Sequence, residues 1–406
     1  MTDYQSIRKV CEKSSNISRA VIDDFLIYYA ASHNNLNYRM NKQFSAYNHV
    51  TRELQKELVN MLEAQYLAHK IFKNEGLIEK YLKHAVLQRL NKNEILYLEQ
   101  QAAHPWRFSF SVINSNPAED FYIMEDVFSG EQYTLFSPGT TKVLRKHSVP
   151  LWFNLIGYNG SCWQSYGPIA YYMAFEPDDI FFFASMLRPG IEYDEDVLED
   201  VENNPVPYMM LISGGNYPVT INKNDLLVRT LSEYDMDTIN TSALRNSFKI
   251  EHNDEAYRFS LKDWDIFPHF AQAYFDEKKR IIVLTAFTDR GFHALVSGLN
   301  KFGHHFSDIP FVRVKPSMIA TAENILKTEI VLNEYEEIFS DEKDTEDNEE
   351  MEKINAFLTM ALPDINTGRQ PDIDALAEKA GVDINTARDL IREVMKKLDN
   401  FDKPSE

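Results

Sequence analysis

A run of acidic residues divides this chain, and it constrains the fold more than any other feature of the sequence. The segment Glu334–Glu350 holds ten acidic residues and one lysine. Such a segment has too few apolar side chains to bury a core of its own. We therefore predict an acidic linker over residues 333–351, with a folded body before it and a small helical module after it.

Composition places the body among ordinary globular proteins. The 406 residues are 44% hydrophobic and 26% charged, which is enough apolar mass for several packed domains. The chain carries a net charge of −20, and Glu334–Glu350 contributes −9 of it. The remaining −11 argues against broad nonspecific nucleic-acid binding by the body, because an acidic surface repels phosphate. The only two cysteines, Cys11 and Cys162, are too few for a disulfide framework or a four-thiolate zinc site.

Three features favour a cytoplasmic location. Low cysteine usage is typical of a reducing compartment. The segment Met1–Lys13 is polar and lacks the apolar stretch of a signal peptide. The most apolar window, Ile180–Leu187, is too short to cross a bilayer. We expect a cytoplasmic protein that does not bind membranes.

Residues 1–103 are predicted to be helical. Apolar side chains recur every three or four residues from Gln43 to Asn74, which predicts one long helix. Further helices are predicted over Ile78–Leu90 and Lys92–Ala103, the latter with Asn91 as its N-cap.

Residues 104–175 are predicted to form a small antiparallel β-barrel or curled sheet. Phe108 and Phe110 alternate with serines, and the Asn159-Gly160 pair is a strong hairpin signal. Six aromatic residues are expected to fill the core, although exposed aromatics would suit stacking on single-stranded nucleic acid: Trp106, Phe108, Tyr122, Trp152, Trp163 and Tyr166.

Residues 176–332 are predicted to be a mixed α+β domain. Tyr208–Ser213 is a strand candidate, and hairpins are predicted within Ser247–Leu261 and Gln272–Ala286. A helix capped by Thr288, a strand over Pro310–Lys315 and a last helix over Ser317–Ile330 complete the order. The predicted fold class of the whole chain is therefore α+β, with a three-helix module at residues 352–401.

The order of elements between residues 80 and 175 resembles the accessory region of bacterial SEC-C-motif-containing proteins. The resemblance rests on a helix and strand over Leu98–Phe110, followed by a hairpin over Phe121–Tyr133 that contains Glu125-Asp126-Val127-Phe128-Ser129-Gly130-Glu131. It extends more faintly to Arg280–Leu299. The zinc ligands of the SEC-C motif, Cys-x-Cys and His-Cys near the C-terminus, are absent, so the resemblance implies neither zinc binding nor a catalytic residue.

The C-terminal module resembles helix-turn-helix domains. The string Leu376–Val382 matches the first helix and turn, with Gly381 at the turn, and Ile384–Leu398 is then the second, recognition helix. Its outward side chains are candidates for contact with a partner or with DNA: Asn385, Thr386, Arg388, Arg392 and Lys396.

The charge of this module favours a protein partner over DNA. Between Asp372 and Lys397 lie six acidic and five basic residues, so the electrostatic attraction that supplies most DNA affinity is small. Both partner classes stay open on the sequence alone.

We therefore expect a non-enzymatic interaction or regulatory protein that needs no cofactor and no metal. No phosphate-binding loop and no glycine-rich dinucleotide fingerprint occurs in the chain. The alternative is an enzyme of unknown class, such as a metal-dependent hydrolase or nuclease, with its site in the β-rich body. The sequence leaves the oligomeric state open.

Overall fold

The computed structural model describes residues 3–27, 29, 32, 34–84, 87, 89–215, 221–222, 225–253, 255–339, 353–354, 356–361, 365 and 371–401. Side chains are not described for residues 24, 221–222 and 393–401. The chain divides into two compact units, a main unit of residues 1–333 and a C-terminal unit of residues 334–406.

Helices form the first part of the main unit. They are α1 (Tyr4–Ser18), continued by a π-helical segment (Arg19–Leu26), then α2 (Leu36–Ser45), α3 (Asn48–Thr51), α4 (Lys56–Phe72), α5 (Ile78–Leu82) and α6 (Lys92–Ala103). The predicted single helix over Gln43–Asn74 is wrong, since the backbone breaks on both sides of α3. Phe44, Ala68 and Phe72 of the predicted apolar stripe are buried despite the breaks, whereas Met61 of the same stripe is exposed, so the spacing indicated part of the core-facing side and not the course of the backbone. Helix α6 has the predicted bounds and the capping box of Asn91 and Glu94.

A closed five-stranded barrel follows. Its elements are β1 (Arg107–Ala118), β2 (Phe121–Asp126), β3 (Gln132–Phe136), α7 (Pro138–Leu144), β4 (Leu151–Tyr158) and β5 (Trp163–Tyr172). The strand order is β1-β2-β3-β5-β4; the closing pair β3–β5 is parallel and the other pairs are antiparallel. Six buried side chains form one cluster of the barrel: Tyr122, Met124, Tyr133, Leu135, Trp152 and Ile156.

Helices and a second sheet make up the rest of the main unit. In chain order they are α8 (Pro177–Leu187), α9 (Asp194–Asn203), α10 (Pro205–Met210), β6 (Ile221–Asn222), β7 (Asp225–Leu226), β8 (Arg229–Asp235), α11 (Thr241–Leu244), β9 (Phe248–His252), β10 (Tyr257–Leu261), β11 (Gln272–Asp276), β12 (Ile281–Ala286), α12 (Asp289–Asn300), β13 (Val312–Val314) and α13 (Pro316–Leu326). The large sheet has the order β13-β8-β12-β11-β10-β9, so β13 lies at its edge.

The strand prediction for Tyr208–Ser213 is wrong. These residues continue helix α10 into a 3-10 turn, Leu211–Ser213. Pro205 sits at the first position of α10, where its fixed φ favours a helix start. Because all of Tyr208–Leu211 is buried, the apolar run shows no period, and a buried helix cannot be told from a buried strand by such a run.

One hydrophobic cluster joins the N-terminal helices, the outer face of the barrel and helices α8, α9, α10 and α13. Phe108, Phe110 and Phe153 connect barrel strands to it through stacked rings. A separate cluster lies between the large sheet and α12. The fold class is α+β, as predicted, and the main unit places its helices, barrel and edge strand β13 around a shared core.

The C-terminal unit contains α14 (Tyr335–Ile338), α15 (Ile373–Ala380) and α16 (Ile384–Phe401). The predicted acidic linker over residues 333–351 therefore begins with a helical turn, and from residue 340 onward it lies outside the described residues. Six buried residues form the core of the module: Phe357, Ala361, Ile365, Ala377, Ala387 and Ile391.

Candidate functional site

The turn between α15 and α16 has the geometry that the sequence predicts. Helix α15 ends at Gly381, which is its C-cap. Gly381 adopts φ +71°, in the left-handed region that favours glycine. Asp383 begins the next helix, because its Oδ1 accepts hydrogen bonds from the backbone amides of Asn385 and Thr386 at 3.0 Å. These bonds, the one from Thr386 first, lower the pKa of Asp383.

The outward face of α16 carries four of the five predicted contact residues. Asn385, Thr386, Arg388 and Arg392 are exposed, whereas the side chain of Lys396 lies outside the described residues. Both arginines are already paired within the module. Arg388 binds Asp374 through two hydrogen bonds, of 3.0 and 2.6 Å, and Arg392 binds Asp389 at 2.7 Å.

These ion pairs change what the helix can bind. An arginine that reads guanine needs both of its terminal donors free for the base edge. Arg388 already spends two donors on one carboxylate, so contact with DNA would first require that pair to open. Over the side chains that the structure describes, up to Arg392, the face of α16 therefore presents paired charges of both signs rather than a cationic surface.

A second candidate site lies in the main unit, where α8 faces the chain that leads into β13. We call it the Phe311 groove. It has a volume of about 200 Å³, and its apolar lining comes from Phe181, Phe182, Ile309, Pro310, Phe311 and Val312. Two of these side chains are strongly exposed, Ile309 at 72% and Phe311 at 63%. Large apolar side chains that line a groove and stay exposed mark a binding surface.

The polar lining of the Phe311 groove centres on Arg313. Its guanidinium makes a bidentate pair with Asp289, at 2.9 and 3.0 Å, and also contacts Glu176 at 2.7 Å and Asp178 at 3.4 Å. The hydrogen bond to Asp289, followed by that to Glu176, raises the pKa of Arg313. The single positive charge of Arg313 is therefore shared by three carboxylates, whose combined negative charge exceeds it.

Beside Arg313, the buried Lys315 fixes the start of helix α8. Its Nζ lies 2.9 Å from Glu176 and 3.8 Å from Asp179, and Asp179 accepts the Lys315 backbone N–H at 2.7 Å. Burial raises the pKa of Asp179 to about 6, although these donors oppose the shift. For Glu176 burial acts in the same direction, but the hydrogen bonds from Lys315 and Arg313 outweigh it and lower its pKa.

Asp194 lies close enough to Asp178 for their negative charges to interact. Burial, then the negative charges of Glu195 and Asp178, raise the pKa of Asp194. Asp178 lines the groove itself, and its side chain is 57% exposed. Asp178 and the nearby Asp194 thus put negative charge at one side of the Phe311 groove, and a ligand with positive charge beside an apolar group would match it.

The barrel offers little open aromatic surface. Trp106, Phe108, Tyr122 and Trp152 are buried, and Trp163 and Tyr166 are half-buried. Five-stranded barrels of the OB type bind oligonucleotides along strands 2 and 3 and at the loops joining strands 1–2 and 4–5. In this barrel α1 contacts both of these loops. Arg8 binds Asp120 of the β1–β2 loop at 2.8 Å, and Cys11 contacts Cys162 of the β4–β5 loop.

The described residues carry neither a metal-binding cluster nor a membrane-spanning helix. No group of three or more His, Cys, Asp or Glu side chains is placed there to hold a metal ion. Among the helices that the structure describes, none has both the length and the apolar character needed to cross a membrane.

Comparison with known proteins does not assign the chain. It matches no protein-family model, no curated protein and no solved structure. The functional argument therefore rests on the geometry of the two surfaces above.

Sequence reasoning found the C-terminal surface and missed the Phe311 groove. The prediction treated Pro310–Lys315 as an ordinary strand, and Ile180–Leu187 as a buried segment. One signal was present: Ile309 and Phe311 flank a proline beside Asp308, and apolar side chains next to a proline at an edge strand often stay exposed.

Proposed function

We propose that this protein is a non-enzymatic interaction protein, and that its main partner site is the Phe311 groove. The observation that carries the proposal is the pair Ile309 and Phe311, which are 72% and 63% exposed beside a groove of about 200 Å³. Interfaces of this kind bind one or two large apolar side chains of a partner and surround them with polar contacts.

The proposed ligand is a protein segment with an apolar or aromatic side chain flanked by lysine or arginine. The apolar lining from Phe181, Phe182 and Phe311 suits the apolar group. The negative charges of Asp178, which lines the groove, and of the nearby Asp194 suit the flanking positive charges.

We propose the exposed face of α16 as a second contact surface for protein, formed by Asn385, Thr386, Arg388, Arg392 and Lys396. The pairing of Arg388 with Asp374 and of Arg392 with Asp389 supports a protein partner over DNA. The resemblance of residues 80–175 to SEC-C-associated regions fits an accessory role and stays a prediction.

A peptide titration tests the main site. The probe is a fluorescent peptide with one phenylalanine flanked by lysines, and its partner probe replaces the lysines with glutamates. We expect the full-length protein to bind the lysine peptide, and Phe311→Ser to weaken that binding by about tenfold or more. The glutamate peptide should bind far more weakly at low salt.

The chain offers a matched control in Phe267, which is 59% exposed and lies outside the groove. Phe267→Ser should bind the lysine peptide as the native protein does. Equal binding of this peptide by native protein and Phe311→Ser would overturn the groove as the site. Equal binding of both peptides would overturn the proposed charge of the ligand.

A further inference from the structure

The only two cysteines of the chain meet in the folded main unit. Cys11 lies on α1 and Cys162 lies in the turn between β4 and β5, yet their Sγ atoms are 3.3 Å apart. Both are free thiols and both are buried, at 0% and 1% exposure. They pack with Phe121 and Phe136 at one end of the barrel.

The surroundings of the pair favour a thiolate at Cys11. Either thiol can donate to the other at 3.3 Å, and once Cys11 is ionised only Cys162 can donate. The side-chain amide of Asn159 donates to the Cys11 Sγ at 3.3 Å and to the Cys162 Sγ at 3.8 Å. The hydrogen bond from Cys162, then that from Asn159 and the positive charge of Arg8, lower the pKa of Cys11 although burial opposes them. A thiolate is the reactive form of cysteine toward oxidants and disulfides.

A small cavity lies beside Asn159, the residue that bonds the Cys11 sulfur, although neither cysteine is among its lining residues. It has a volume of about 50 Å³ and is lined by Ser14, Ser15, Ser18, Asn159 and Gln164, among others. Asn159 belongs to both places, since its side chain lines the cavity and bonds the Cys11 sulfur. A cavity of this volume and polarity has room for water or for a molecule of similar size, such as hydrogen peroxide.

We propose that Cys11 and Cys162 form a reversible redox site that takes a small hydroperoxide as oxidant and a dithiol as reductant. The Cys11 thiolate attacks one peroxide oxygen, the O–O bond breaks, and Cys11 becomes a sulfenic acid while hydroxide leaves. The Cys162 sulfur, losing its proton to that hydroxide, then attacks the Cys11 sulfur and expels the second hydroxide, which takes up a proton from solvent. The two thiols are oxidised to one disulfide, and the peroxide is reduced to two waters.

The bond would fasten α1 to the barrel. An S–S bond is about 2.05 Å long, so the sulfurs must approach by little more than about 1 Å. In the reduced state α1 is held at this end by the Arg8 contacts with Asp120 and with the Glu119 carbonyl, and by the apolar cluster around the thiols. Oxidation would replace this non-covalent contact with a covalent bond between α1 and the turn that joins β4 and β5.

The test uses full-length native protein, Cys11→Ser and Cys162→Ser, each treated with hydrogen peroxide under native conditions. For the native protein we expect both titratable thiols to disappear, the monomer to lose the mass of two hydrogens, and dithiothreitol to restore both thiols. Cys162→Ser lacks the second thiol, so its Cys11 should stop at a sulfenic acid that dimedone traps. Cys11→Ser should react far more slowly.

Unfolding in urea supplies a second measurement, which holds even if a serine variant folds poorly. The oxidised native protein should unfold at a higher urea concentration than the reduced protein, because the bond closes a long loop. The proposal is overturned if both native thiols survive the peroxide treatment. It is also overturned if they oxidise without forming an intramolecular bond, which would appear as added oxygen or as a crosslinked dimer.

Discussion

Two arginines of this protein make the same bidentate pair with an aspartate, one in each compact unit. Arg313 binds Asp289 at 2.9 and 3.0 Å, and Arg388 binds Asp374 at 3.0 and 2.6 Å. Their surroundings differ, since the Arg313 side chain is 21% exposed and that of Arg388 is 49% exposed. Identical geometry therefore has different consequences: the first pair holds elements of the fold together, and the second mainly sets the charge of a surface.

The largest expected difference is in stability. Arg313→Ala leaves Asp289 and Glu176 without their shared cation, so we expect a loss of about 2–3 kcal/mol in the free energy of unfolding of the main unit. Urea titration followed by tryptophan fluorescence measures it, because all four tryptophans lie in that unit. Arg388→Ala should cost less than about 1 kcal/mol, measured by hydrogen exchange of residues 373–392 in the full-length chain. Equal losses would remove the distinction.

Acidic residues of the two units should respond to pH with opposite sign. Burial raises the pKa of Asp179 to about 6, so the stability that its protonation contributes is present at low pH and is lost as the pH rises through about 6. Between about pH 5 and pH 7.5 this amounts to roughly 1.4 kcal/mol. The difference in unfolding free energy between native protein and Asp179→Asn, measured at both pH values, should therefore shrink by about that amount as the pH rises.

Asp383 in the C-terminal unit supplies the contrast. Hydrogen bonds from the backbone amides of Thr386 and Asn385 lower the pKa of Asp383. The stability that the ionised carboxylate contributes is therefore present above the ordinary pKa of aspartate and is lost as the pH falls. Hydrogen exchange near the start of α16 should accelerate on acidification beyond the intrinsic rate change in native protein, and much less in Asp383→Ala.

A pH-independent difference in unfolding free energy between native protein and Asp179→Asn would contradict the prediction for Asp179.

Substitution of two exposed phenylalanines of the main unit should have a smaller effect on its stability. Phe311→Ser and Phe267→Ser change side chains that are mostly exposed, so each should alter the free energy of unfolding by no more than about 0.5 kcal/mol. The two variants should nevertheless differ in peptide binding. A stability loss of several kcal/mol for Phe311→Ser would show that this residue supports the fold instead of a partner.

The smallest expected effect is on DNA binding. Because both arginines of α16 are paired, we expect the full-length protein to show little affinity for a duplex of about 20 base pairs at low salt, and a weak dependence on salt. The double variant Arg388→Ala, Arg392→Ala should behave as the native protein does. Tight, strongly salt-dependent binding that the double variant abolishes would reassign the C-terminal surface to DNA.

Local signals predicted the elements that depend on a few neighbouring residues. The capping box at Asn91 and Glu94, the Asn159-Gly160 turn and the glycine at position 381 each place a boundary correctly, because backbone geometry there is set by those residues themselves. The prediction failed at Tyr208–Ser213 and over Gln43–Asn74. At Tyr208–Leu211 every side chain is buried, so the apolar run carries no period to distinguish helix from strand. The breaks on both sides of α3 fall at exposed or half-buried residues, where the apolar spacing gives no information on the backbone.

By itself, the sequence determined the α+β class and the turn at Gly381 between the two helices α15 and α16. It also determined that Asn385, Thr386, Arg388 and Arg392 face outward. Only the tertiary structure decided which charges are paired, how α8 and the chain before β13 form the Phe311 groove, and that Cys11 meets Cys162. The physical reason is range: caps, turns and periodicity act within a few residues, whereas the groove, the Arg313–Glu176 pair and the thiol contact join segments separated by more than a hundred residues along the chain.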